Sequence, residues 1–177
     1  ELGGKDPSYV RADADLSVAI AENVDGSFFN SGQSCCGIER IYVHADVYDD
    51  FVDGFINLTR EYVLGNPLDA QTTLGPMVNT KSAQFVRDQI SAATAQGARA
   101  VVSEHEFVAS RIDSPYLGPT VLLNVDHSMS VMRDESFGPV IGIMKVSGDQ
   151  EAVALMNDSP YGLTACLWTQ DIERAAA

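Results

Sequence analysis

The segment Gly32-Gln33-Ser34-Cys35-Cys36-Gly37 contains the residues of this chain that are best suited to covalent chemistry. Glycines let a backbone come close to a ligand and adopt conformations that other residues avoid. A cysteine in such a turn can be reached by a substrate, and its thiolate is a strong nucleophile. The same segment is also compatible with a buried, inert thiol, which is the commoner state of a cysteine. Cys35 is therefore a candidate nucleophile that needs support from elsewhere in the chain.

A carboxylate with a pair of glycines beside it stands at the start of the chain, in Glu1-Leu2-Gly3-Gly4-Lys5. Glu1 precedes Cys35 by 34 positions. A carboxylate whose pKa is raised by apolar surroundings can serve as a general base, and the neighbouring glycines suit a flat cofactor. By residue type alone, Glu1 is equally compatible with an ordinary surface position.

Two further motifs follow in the second half of the chain. One is Glu135-Ser136-Phe137-Gly138-Pro139-Val140, and the other begins at Asn157 and ends with Tyr161-Gly162-Leu163. Together with the first two motifs, and in this order, they resemble the aldehyde dehydrogenase superfamily. In that family a Glu-Leu-Gly-Gly-Lys segment carries the general base, and a Gly-Gln-x-Cys segment carries the nucleophile at about this spacing. The resemblance extends from the first residue almost to the last.

The resemblance implies a covalent mechanism that oxidises an aldehyde to a carboxylic acid. Cys35 would attack the aldehyde carbon as a thiolate and form a thiohemiacetal. Loss of hydride to a nicotinamide would then leave a thioester, which water would hydrolyse. Glu1 would activate that water as the general base. Cys36 would be a spectator that points elsewhere and fills apolar space.

The resemblance also implies binding of NAD or NADP as cofactor. Leu2 and Gly3 would lie near the nicotinamide, Glu135 would accept hydrogen bonds from the ribose hydroxyls, and Phe137 would pack against the ribose and the ring. For Phe137 the alternative is an ordinary core aromatic residue. The segment from Asn157 to Leu163 is interpreted as structural, with a helix end and a turn into the last strand.

Two other functions stay open on the sequence. A coenzyme A-acylating relative would use a thiol in place of water, and that branch commonly lacks the deacylating glutamate, so Glu1 favours hydrolysis. The second alternative is a non-catalytic assembly module. Because family members are much longer, we expect residues 1–177 to be a fragment of the catalytic domain, without the dinucleotide-binding domain or the C-terminal segment. Such a fragment is expected to be inactive when isolated.

Composition excludes some partners and leaves catalysis open. The chain has 11 Lys and Arg residues against 25 Asp and Glu residues, which gives a formal net charge of −14. This balance argues against nucleic acid or an anionic membrane as a partner, because both require a basic surface. The chain has 3 cysteines and 3 histidines without the spacing of a metal site, and the odd number of cysteines favours a reducing cytoplasm.

Hydrophobic patterning predicts the elements that must position these residues. Strands alternate with helices, which indicates an α/β domain with a mostly parallel sheet flanked by helices, as in the aldehyde dehydrogenase catalytic domain. The predicted helices are 15–29, 46–62, 80–96 and 149–157, and the predicted strands are 40–44, 100–102, 120–125, 140–146 and 164–169. In the third helix, Phe85 is expected to face inward together with Val86. The helix that precedes the nucleophile is expected to pair with a second copy, giving a homodimer or a higher homo-oligomer.

Overall fold

A computed structural model describes residues 2–176, whose centre is a single six-stranded sheet. The strands are β1 (Asp6–Val10), β2 (Ile38–His44), β3 (Arg99–Val102), β4 (Thr120–Leu123), β5 (Val140–Val146) and β6 (Cys166–Trp168). The helices are α1 (Leu16–Phe28), α2 (Tyr48–Thr59), α3 (Thr80–Ala95), α4 (Ser130–Arg133), α5 (Asp149–Asn157) and α6 (Ile172–Ala175).

The strands follow the spatial order β3-β4-β5-β2-β1-β6, and only β3 runs antiparallel to its neighbour. Helices cover both faces, as a mostly parallel sheet requires. On one face, α1 and α2 bury Phe28, Phe51 and Phe55 against the sheet. On the other face, α3, α4 and α5 pack over sheet residues such as Tyr42 and Leu122. The predicted fold class is confirmed.

Strand β1 was not predicted from the sequence, although all five of its residues are buried. Its sequence, Asp-Pro-Ser-Tyr-Val, begins with residue types that are depleted in strands. Pairing with β2 on one side and β6 on the other places it inside the sheet. Its polar side chains gain partners there: the indole N–H of Trp168 donates to Ser8 Oγ at 3.0 Å, and the Thr164 hydroxyl donates to Asp6.

Helix boundaries follow the predictions closely. Asp15 caps α1 by accepting hydrogen bonds from the backbone N–H groups of Ser17 and Val18. Helix α5 has the predicted bounds, and α2 is shorter than predicted at both ends. The inward position predicted for Phe85 in α3 is wrong, because its side chain is 50% exposed.

The irregular segment 104–119 is held against α3 by Arg87. Its guanidinium donates to Glu104 at 2.9 Å and also to the backbone carbonyls of Arg111, Ser114 and Tyr116. The segment contains one short 3-10 helix (Glu104–Glu106), and these polar contacts hold much of the remainder against α3.

None of the helices formed by residues 2–176 combines the length and the apolar composition that a membrane crossing requires.

Candidate active site

The cysteine pair occupies the two central positions of a tight turn that leads into β2. The turn is closed by the Gly37 N–H, which donates to the Ser34 carbonyl at 3.1 Å, and both cysteines are exposed. The exposure of Cys35 agrees with the sequence analysis. The role of apolar filler predicted for Cys36 is wrong, because its thiol is at the surface with Sγ 3.5 Å from Ser34 Oγ.

The backbone just before the turn is unusual. Asn30, Ser31 and Gly32 have φ values of 51°, 59° and 70°, so three consecutive residues are in the left-handed region. A β-carbon at Gly32 would collide with the carbonyl group of Gly138. Glycine at this position therefore lets the Gly32–Gly37 segment lie directly on the Glu135–Val140 motif.

Gln33 fastens this segment to the loop that precedes α3. Its Oε1 accepts the Val78 N–H at 2.7 Å, and its Nε2 donates to the Asn30 carbonyl at 2.9 Å. Asn30 returns the contact, since its Nδ2 donates to the Gln33 carbonyl at 3.0 Å. Sequence reasoning treated Gln33 only as part of a motif, whereas the structure shows it holding the cysteine turn in place.

The N-terminal motif lies against the cysteine turn. A β-carbon added at Gly4 would be 2.5 Å from the carbonyl oxygen of Cys35, so only glycine allows this contact. Leu2 is 99% exposed. Glu1, the predicted general base, lies outside the described residues.

Glu135 joins the same group. Its Oε1 accepts the backbone N–H of Gly4 at 2.8 Å. A β-carbon at Gly3 would be 2.8 Å from Tyr161 Cε1 and 3.5 Å from Glu135 Oε2. The structure thus brings together all four motifs of the sequence analysis: the segment from Leu2 to Lys5, the cysteine turn, the Glu135–Val140 motif and the segment that carries Tyr161.

A buried ion pair lies beneath this convergence. Lys5 Nζ donates to Glu39 Oε2 at 2.7 Å and to Ser136 Oγ at 3.0 Å. Burial lowers the pKa of the Lys5 ammonium, and the nearby Glu39 carboxylate opposes that shift. Sequence reasoning assigned no role to either charge. Glu39 and Arg40 within an otherwise apolar strand were the available signal, since charges are seldom fully buried without partners.

A cleft of about 660 Å³ opens beside these motifs. The residues lining it include the predicted cofactor contacts Glu135 and Phe137, as well as Gln33, Phe85 and Tyr161. Phe85 was predicted to face the core and Tyr161 was interpreted as structural, but both line the cleft. Cys35 is not among the lining residues, although Gln33 places the cleft next to its turn.

The third cysteine has a different environment. Cys166 is half-buried in β6, and burial raises the pKa of its thiol. A raised thiol pKa reduces the thiolate fraction and hence the reactivity at neutral pH. The structure therefore separates two exposed thiols near the motifs from one protected thiol.

Comparison with known proteins gives a consistent result. The model of the aldehyde dehydrogenase family matches residues 1–177. A 3-sulfolactaldehyde dehydrogenase of Priestia aryabhattai is 38% identical over 175 residues, which cover 99% of this chain and 35% of that protein.

Solved structures agree with this result. A Staphylococcus aureus betaine aldehyde dehydrogenase in complex with NAD⁺ is 35% identical, with a TM-score of 0.92, and the match covers 99% of this chain and 35% of that one. An NADP-dependent glyceraldehyde-3-phosphate dehydrogenase of Bacillus halodurans, complexed with NADP, is 37% identical, with a TM-score of 0.91, covering 99% of this chain and 36% of that one. The chain thus spans about a third of the length of these relatives.

Proposed function

The chain belongs to the aldehyde dehydrogenase family, and we propose on this premise that the protein containing it oxidises an aldehyde to a carboxylic acid with NAD⁺ or NADP⁺. The observation that carries the proposal is the family match over all 177 residues. The mutual contacts of the four motifs, three of which contribute residues to one cleft, support it.

Cys35 is the proposed nucleophile. Its sulfur forms a bond to the aldehyde carbon while the carbonyl π electrons move to oxygen, giving a thiohemiacetal oxyanion. The backbone N–H of Cys35 is one donor for that oxyanion. Exposure of the thiol in a turn gives a substrate access, and the contacts of Gln33 hold the turn in one position.

Glu1 is the proposed general base for the second half of the reaction. Once the carbon has been oxidised, Cys35 holds the acyl group as a thioester. Glu1 takes a proton from water, the resulting hydroxide adds to the acyl carbon, and the carbon–sulfur bond breaks to release the carboxylic acid and the Cys35 thiolate. The contact of Gly4 with the Cys35 carbonyl supports this role, because it brings the N-terminal motif to the nucleophile.

The residues of the cleft fit the nicotinamide end of a dinucleotide. When bound, the cofactor supplies a hydride acceptor. The volume of about 660 Å³ is in the usual range for ligand clefts. Glu135 offers a carboxylate to ribose hydroxyls, Phe137 offers an aromatic face, and Leu2 and Gly3 would lie by the ring. Relatives bound to NAD⁺ and to NADP support either dinucleotide as the cofactor.

We also propose that the protein is a homo-oligomer that pairs through the outer face of α1. Val18 on that face is 47% exposed, and the side chains that face the sheet are buried. An exposed apolar side chain on a helix face is available for burial between copies.

The experiment that tests the function is an assay of NAD(P)H formation by the protein that contains this chain, with a panel of aldehydes. We expect Cys35→Ala to lower kcat by about a thousandfold or more, because loss of a nucleophile removes the covalent route. Cys36→Ala is the matched control, since it removes the neighbouring exposed thiol, and it should retain activity within about threefold. Equal loss in both variants, or full activity of Cys35→Ala, would refute the assignment.

A further inference from the structure

Glu39 is a buried carboxylate that the proposed mechanism does not use. It is 5% exposed and is the second residue of β2. Its Oε2 accepts the Ser136 N–H at 2.8 Å, and its Oε1 accepts the Phe137 N–H at 2.8 Å. Two successive backbone N–H groups therefore converge on one side chain, an arrangement that elsewhere forms binding sites for anions.

The turn that Glu39 holds has a strained backbone. Phe137 has a φ of 48°, in the left-handed region that bulky residues rarely adopt. Such a conformation persists only when the surrounding structure imposes it. The two hydrogen bonds to Glu39 contribute to this, because they fix the peptide planes on both sides of the Ser136 α-carbon, and the second of these planes leads directly into Phe137.

Glu39 also reaches the N-terminal motif through Lys5. The Lys5 side chain is fully buried, bridges Glu39 Oε2 and Ser136 Oγ, and follows directly after Gly4, whose N–H binds Glu135. The Glu39 carboxylate therefore connects the Glu135–Phe137 turn with the Leu2–Lys5 segment, and both segments are assigned to cofactor binding. Glu39 itself is not among the residues that line the cleft, so it would act through others.

We propose that Glu39 is a positioning residue that sets cofactor affinity by holding the Glu135–Phe137 turn and the Leu2–Lys5 segment in the binding geometry. This inference rests on the proposed function. It predicts that Glu39 affects binding of the dinucleotide and leaves the reactivity of the Cys35 thiol unchanged.

The test is Glu39→Gln in the protein that contains this chain. Glutamine offers a single acceptor oxygen to three N–H donors, so at least one hydrogen bond to the turn or to Lys5 is lost. We expect the Kd and KM for NAD⁺ or NADP⁺ to rise at least about tenfold, with kcat changed by less than about threefold. The matched control is Glu61→Gln, which changes an exposed glutamate in the turn after α2 and should leave all these values unchanged.

Hydrolysis of p-nitrophenyl acetate distinguishes an effect of Glu39 on cofactor binding from an effect on Cys35. The reaction requires the thiol and water but no hydride acceptor. The thiolate displaces p-nitrophenolate, and water then releases acetate from the thioester. Glu39→Gln should keep this rate, and the rate of Cys35 alkylation, within about twofold of wild type. A wild-type protein that neither hydrolyses the ester nor oxidises aldehydes would instead contradict the proposed function.

A second variant controls for loss of folding. Glu39→Gln leaves the buried Lys5 ammonium without its carboxylate, which destabilises the fold. Lys5→Met combined with Glu39→Gln removes that charge. This double variant should fold and still show the raised cofactor Kd, because the hydrogen bond that joins residue 39 to the Leu2–Lys5 segment remains absent. Wild-type cofactor affinity in either folded variant would overturn the proposal, as would an equal loss of ester hydrolysis. Failure of the double variant to fold would also overturn it, since the Lys5–Glu39 pair would then be required by the fold as a whole.

Discussion

The three thiols of this chain differ in solvent exposure, and exposure influences how readily each thiol ionises and reacts. Cys35 and Cys36 are exposed in the turn before β2, whereas Cys166 is half-buried in a strand and has a raised pKa. Since the thiolate is the reactive form, protection of Cys166 follows from its environment. Exposure therefore leaves two adjacent cysteines as candidates for the nucleophile, and the proposed function assigns that role to the first, Cys35.

Limited alkylation tests this ordering. With a substoichiometric amount of iodoacetamide at pH 7.5, peptide mass analysis should find Cys35 labelled first and Cys166 at least about tenfold more slowly, because burial disfavours its thiolate. Labelling in 6 M guanidinium chloride is the control and should remove the difference. Preferential labelling of Cys36 or Cys166 in the folded protein would contradict this ordering.

Some residues of the site could be predicted from the sequence and others could not. The motifs identified Cys35, Glu135 and Phe137 because each belongs to a short contiguous pattern. Glu39 and Lys5 were missed, since their role arises from contact with Ser136 and with each other across the fold. The helical spacing of apolar residues also gave the wrong environment for Phe85. An aromatic residue that lines a cleft can occupy the same helical position as one that faces the core.

Among the elements, α3 and the irregular segment 104–119 are joined by the hydrogen bonds and the ion pair of Arg87. Burial alone would raise the pKa of the Glu104 carboxyl, but hydrogen bonds from Arg87 and Ser110 together hold it below its usual value. Both side chains of the Arg87–Glu104 pair are largely buried. Replacing one member of a buried ion pair destabilises the fold strongly, because the other charge stays buried without its partner.

We expect Glu104→Gln to lower the free energy of unfolding by about 2 kcal/mol at pH 7. Since the folded-state pKa of Glu104 is depressed, its contribution is fully present above the ordinary value of 4.5 and is lost as the pH falls through the lower folded value. In urea unfolding, the difference in the free energy of unfolding between wild type and variant should therefore disappear below about pH 4.5. Glu22→Gln, on the exposed side of α1, is the control. A gap that is independent of pH would rule out ionisation of Glu104 as the cause.

Elements were predictable where local patterning agrees with the tertiary structure. Helix α5 and strand β5 have the predicted bounds, because apolar periodicity and flanking turns mark both. Strand β1 was missed for the opposite reason. Its Asp, Pro and Ser residues disfavour a strand locally. Its burial depends on pairing with β2 and β6, which both lie far from it in the sequence.

At the scale of the whole molecule, the candidate site lies at an unusual edge of the sheet. Ligands of open α/β sheets usually bind outside the carboxyl ends of the strands. Here the Leu2–Lys5 segment, the cysteine turn and the Glu135–Val140 motif each precede a parallel strand, so the site is at the amino ends of β1, β2 and β5. Short loops that enter neighbouring parallel strands are brought together by the sheet itself, which explains how motifs separated by more than a hundred residues meet.

The central claim is that Cys35 carries the acyl group during the reaction, and direct observation of that adduct tests it. Reaction of the protein with p-nitrophenyl acetate, followed by rapid acid quench and peptide mass analysis, should place an acetyl group on Cys35. Glu1→Gln should increase the fraction acylated, because deacylation loses its general base and slows by about a hundredfold. An acetyl group on Cys36 or Cys166, with Cys35 unmodified, would contradict the account.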